Sequence, residues 1–152
     1  MPNDISISYE IGSNYEFGGR NELIEKIKSI FPTYETTFET KLKMNDQSLK
    51  NYYDGTEKMT ARFAPGKIRI PMSQTVELIH TPDNDDEDPE YLGNIHIPKI
   101  TIKSFSNVTS KEAYLDGKQT PKGLFLEMKG IYQPIYNINM SKDDIIVLWY
   151  FE

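Results

Sequence analysis

The sequence predicts an α+β fold, predominantly antiparallel β. The expected form is a β-sandwich or strongly bent sheet with one amphipathic helix, at about residues 21–31, packed against it. Three observations lead there. Aromatic residues make up 12% of the 152-residue chain, and Tyr, Phe, Ile and Thr suit half-buried pleated surfaces. From Lys58 onward, short apolar–polar alternations recur, punctuated by Pro71, Pro82, Pro89, Pro98, Pro121 and Pro134 at intervals typical of antiparallel strands. Only one stretch carries a clear helical period.

In chain order, Ile5, Ile7 and Tyr9 alternate with Ser6, Ser8 and Glu10 as in a strand with one buried face. Gly12, Gly18 and Gly19 mark a loop, and Asn21 is placed to cap a helix. Leu23, Ile24, Ile27, Ile30 and Phe31 share a helical face that Pro32 ends. Thr36, Phe38, Thr40, Leu42 and Met44 share one parity, so 34–44 reads as one strand. Asp46 to Tyr53 reads as a short second helix capped by Asp46. Strands are expected around Met59–Phe63, Ile68–Ile70, Val76–His80, Ile95–Ile97 and Ile100–Ile102, at Leu124, Leu126 and Met128, and over 131–138 despite Pro134. Ile145 to Phe151 is almost wholly apolar, as in a strand covered on both faces. No repeat or linker divides residues 1–152, which fit a single globular domain.

Composition narrows the chemistry. No cysteine is present, which excludes disulfides, thiolate nucleophiles and Cys-ligated metals. No Gly-x-Gly-x-x-Gly, Gly-Lys-Ser/Thr or Gly-x-Ser-x-Gly string occurs, so nucleotide loops and a nucleophile elbow are unsupported, and no cofactor is expected. The N-terminus has no signal-peptide pattern and no apolar run spans a membrane, so the expected location is the cytoplasm.

The net charge is −6, and Asp83, Asp85, Asp86, Glu87, Asp88 and Glu90 account for all of it. These acids with Tyr91 form the candidate partner-binding surface: an exposed acidic finger complements a protein partner with a basic surface. Calcium ligation by alternate acids is the weaker reading, because the EF-hand glycine and terminal glutamate are missing. His80 and His96 flank the loop and would make a zinc or proton-sharing pair if close, although their parities differ. That parity places His80 on the apolar face and leaves His96 exposed. Lys58, Arg62, Lys67 and Arg69 form a modest basic cluster around a hairpin. At a pI near 5.0, nucleic-acid binding would need a local patch and is not expected. Tyr52, Tyr53, Tyr91, Tyr114, Tyr132 and Tyr136 fall near predicted turns or strand edges, as at a protein interface.

The functional expectation is a non-enzymatic binding or inhibitory protein. A small, Asn-, Lys- and Tyr-rich, cysteine-free chain also has the composition of phage and mobile-element accessory proteins that counter host defence. The alternatives are a subunit of a larger, virion-type assembly, with homo-oligomers, and a small metal-dependent or phosphate-handling enzyme using His80 and His96.

Overall fold

The computed structural model describes residues 5–84 and 86–151. Strands β1 (Ile7–Glu10), β8 (Lys99–Ser104), β9 (Ile145–Tyr150) and β4 (Met59–Arg62) form an antiparallel sheet in the order β1-β8-β9-β4. Two further ladders are partly parallel. β2 (Glu35–Glu39) runs parallel to β5 (Lys67–Pro71). β3 (Lys41–Met44) runs parallel to β6 (Thr75–His80), which pairs antiparallel with β7 (Glu90–His96). Met72 N–H donates to Glu39 O and Glu77 N–H to Thr40 O, both at 2.9 Å, so hydrogen bonding continues across the break and the surface bends there. The expected single strand over 34–44 is therefore two, divided at Thr40. Antiparallel pairing predominates, and of the two expected forms the bent sheet is the one observed.

β9 is the centre, as its apolar run predicts. Ile145, Val147 and Trp149 join a core with Leu23 and Ile27 of helix α1 (Gly19–Ile30) and with the isoleucines of β5, β7 and β8. Ile146 and Leu148 face the other way, into a second core with Met59, Phe63, Phe105 and Leu124. A strand with both faces covered has no reason to alternate. Trp149 is fully buried, and its indole N–H donates to Arg69 O at 3.1 Å, tying the main sheet to β5.

Helix α1 starts at Gly19 rather than after Asn21, with no side-chain cap. A Cβ on Gly19 would lie 2.5 Å from the Tyr9 hydroxyl and 3.2 Å from Asn14 O, so close packing against β1 dictates glycine there. Helix α2 (Asp46–Tyr53) forms as expected, but its cap is Asn45, whose Oδ1 accepts from Ser48 N at 2.8 Å. Asp46 is spent elsewhere, as described below.

The largest departure is at 109–136. Residues 124–128 and 131–136 are not strands. They form one helix, α4 (Pro121–Tyr136), which continues through Pro134. Its buried residues are Leu124, Met128 and Tyr132, spaced four apart, whereas Leu126 is 58% exposed. The apparent alternation of Leu124, Leu126 and Met128 arises because two of these three also share a helical face. Thr120 caps the helix through Gly123 N and Pro121 occupies its first turn, where a missing N–H costs nothing. Pro134 falls in the last turn, before Asn137 ends the helix in the left-handed region at φ 55. Residues 137 and 138 lie beyond it. A short helix α3 (Ser110–Leu115), not expected from the sequence, has a complete capping box between Thr109 and Glu112.

Candidate functional site: a cleft with paired carboxyls

A cleft of about 500 Å³ opens between β3, β4, β5 and α4. Its floor is a carboxyl pair. Glu57, just before β4, and Asp116, just after α3, face each other across an isolated antiparallel bridge. Each is 5% exposed. Lys58 N–H donates to Leu115 O at 2.8 Å and holds the two segments together. Gly117, at φ +72, makes the turn beside them. A Cβ there would sit 3.2 Å from Asn51 Nδ2 and 3.7 Å from Glu57 Oε1.

The two carboxyls are hydrogen-bonded to each other. Burial, then repulsion from Asp116, pushes Glu57 up to about 8. Burial and the charge of Glu127 push Asp116 up to about 7, against the opposing pull of Arg62 and the Ala61 amide. Both carboxyls are raised by burial, and the hydrogen bond between them lets the pair share one proton.

The opposite wall is basic and aromatic. Lys41, Lys43, Arg62 and Arg69 line it. Arg62 reaches across to Lys43 O at 3.2 Å. Arg69 is held by Glu39, Nε to Oε1 at 2.6 Å, and donates to Phe63 O at 3.3 Å. Tyr132 and Tyr136 stack with centroids 6.0 Å apart and meet Phe63 edge-on. Ile131 and Ile135 form an exposed apolar lip.

Of the basic cluster noted in the sequence, Arg62 and Arg69 enter this cleft, while Lys58 and Lys67 are exposed and outside its lining. Tyr132 and Tyr136 also enter it, and Tyr132 is buried rather than at an edge. Tyr53, Tyr91 and Tyr114 are exposed and separate. Glu57, Asp116 and Glu127 escaped sequence reasoning, because nothing local says which acid each will face.

The acidic loop leaves β6 and returns as β7. Asp83, Asp86, Glu87, Asp88 and Glu90 are exposed, and Tyr91 is 55% exposed. Asp85 lies outside the described residues. Loop hydrogen bonds run from Asp86 N to Asn84 Oδ1 at 3.0 Å and from Glu87 N to Asn84 O at 3.1 Å. At its base, His80 Nε2 meets Asp46 Oδ1 at 2.5 Å, and Asp83 N–H reaches Asp46 Oδ2 at 3.5 Å. That bond to His80 draws the Asp46 pKa below the usual carboxylate range.

The histidine pair does not form. His80 lies opposite Glu90 and His96 opposite Thr75. Five residues of strand therefore separate the two positions, ~17 Å along the backbone at the usual rise. Both are half-buried, so His80 is not in the core and His96 is not fully exposed. Among the described residues, no three His, Asp or Glu side chains converge as a metal site would require. No helix among them is long and apolar enough to cross a membrane.

No family model matches the sequence, and no curated protein matches it. Solved structures do share its shape. The ASCH domain from Lactobacillus crispatus JV V101 superposes with a TM-score of 0.52 at 12% identity, over 93% of this chain and 94% of that one. The chain has an ASCH-like fold. Protein EF3133 from Enterococcus faecalis V583, described under the family model DUF984, matches with a TM-score of 0.50 at 15% identity, over 91% of each chain. At these identities the likeness extends to the fold alone. The ASCH-like fold is thus a mixed α+β architecture built around a bent sheet.

Proposed function

We propose that this chain binds a small polar ligand in the α4 cleft, with Glu57 and Asp116 as the groups that recognise it. The observation that carries this reading is a buried carboxyl pair lining an open cleft rather than sealed in the core. Burying an ionised group is costly without a partner, and strongly shifted acids in a cleft are characteristic of working sites. The carboxyl pair accepts N–H donors, while Lys41 and Lys43 of the same lining suit an anionic or carbonyl group. Tyr136, half-buried on the buried Tyr132, offers a face to a flat body. A ligand with an amine or amide edge and an anionic group satisfies all three. The shared proton also equips the pair to give or take a proton near neutral pH.

The test is an NMR screen of amines, amino acids and nucleoside monophosphates, reading the carboxyl carbons of Glu57 and Asp116. A saturable shift in those two signals, with ligand binding itself lost in Glu57→Gln and Asp116→Asn, supports the reading. A screen in which ligands bind but leave both carboxyls unmoved rejects it.

A second reading rests on the acidic loop. Its anchored base and exposed acids favour a basic protein partner, as the charge distribution suggests. Replacing Asp86, Glu87 and Asp88 by Asn or Gln would then weaken capture of that partner and flatten its salt dependence. Unchanged capture would exclude the loop as the contact.

A further inference from the structure

A second concavity lies at the opposite end of α4. It encloses about 510 Å³ and is lined by Phe105, Val108, Pro121, Phe125 and Leu126, with Ser106, Lys122 and Lys142. Its chemistry is unlike that of the cleft. Phe105 and Val108 are buried and form the floor. Phe125 tilts against Phe105 with centroids 5.1 Å apart. Leu126, 58% exposed, stands as one wall beside them. No acid lines the concavity, and its two charged residues are both cations. Lys142 Nζ lies 5.7 Å from the centre of the Phe125 ring. Among the described residues the ion pairs are Arg69–Glu39, His80–Asp46 and Lys103–Glu112, so neither Lys122 nor Lys142 is neutralised by one.

We propose that this concavity is a binding site for a small amphipathic carboxylate, with the hydrocarbon body against Phe105, Phe125 and Leu126 and the carboxylate between Lys122 and Lys142. The volume is within the usual range for small-ligand sites, and an apolar lining with a few convergent polar groups is their common composition. Charge complementarity selects the anion: two cations without a facing acid favour a carboxylate and disfavour an ammonium. The apolar floor selects the body, because a bare anion gains nothing from it. This site is independent of the carboxyl cleft.

Octanoate is the probe, with acetate and octylammonium as controls, followed by amide shifts in NMR titration. Octanoate should give saturable shifts confined to residues 105–108, 121–126 and 142, and acetate should give none. Octylammonium should bind at least several-fold more weakly. Lys122→Ser and Lys142→Ser should each weaken octanoate about threefold, the scale of one exposed charge contact. Leu126→Gln should weaken it without loss of fold, since that side chain is exposed. Equal binding of octanoate and octylammonium would overturn the proposal. So would shifts at these residues that follow protein concentration but not octanoate, because a second copy would then be the occupant. Absence of saturable binding into the millimolar range would overturn it too.

Discussion

Glu57 and Asp116 give the chain a definite pH signature. Both hold their protons more tightly folded than unfolded, where the ordinary values of 4.5 and 3.8 apply. Raised folded values contribute stability that is complete below the unfolded values and is lost as pH rises through about 7 and 8. Stability should therefore fall between pH 5 and pH 8.5, by at most ~1.4 kcal/mol per pH unit for each group. Urea midpoints at pH 5, 6.5 and 8 measure this. The double variant Glu57→Gln, Asp116→Asn should flatten the decline, and a wild-type midpoint that rises with pH would contradict the assignment. None of this was legible in the sequence. A shared proton requires two acids brought together from distant segments, and neither segment carries a mark of the other. The acidic loop was legible because its charge is contiguous.

Helix α4 separates two kinds of sequence signal. Its start is written locally in Thr120-Pro121, and α3 likewise in Thr109 and Glu112. Its interior misleads, because Gly123, Gly130 and Pro134 resemble turn residues and the apolar spacing fits a period of two as well as four. Substitution distinguishes them. Leu124→Ala should cost ~2–5 kcal/mol as a core truncation, whereas Leu126→Ala should change stability by less than ~0.5 kcal/mol. Equal costs would restore the strand reading. Gly130 lies inside the helix, and a Cβ there meets nothing within 4 Å. Gly130→Ala should then stabilise by ~0.5–1 kcal/mol in thermal or urea unfolding. A loss of stability would show that the helix does not run through this position.

At the scale of the whole molecule, β9 joins the two cores and holds the four-stranded sheet together. It pairs with β8 on one side and β4 on the other and sends alternate side chains into each core. Truncation before Ile145 should abolish dispersed amide signals and near-UV dichroism. A truncated chain that keeps both would refute the central role of β9. Trp149, the only tryptophan, should emit at short wavelength and resist iodide quenching in the native protein and lose both properties on unfolding.

Local order along the chain accounts for α1 and α2, most strand positions, the doubly covered C-terminal strand and the acidic loop. Each follows from periodicity or contiguous charge. Tertiary structure alone decided the parallel pairing of β2 with β5 and β3 with β6, the continuity of α4, the distance between His80 and His96, and the union of Glu57 with Asp116. These depend on which distant segments share a surface, and side-chain spacing along one segment does not encode its neighbour.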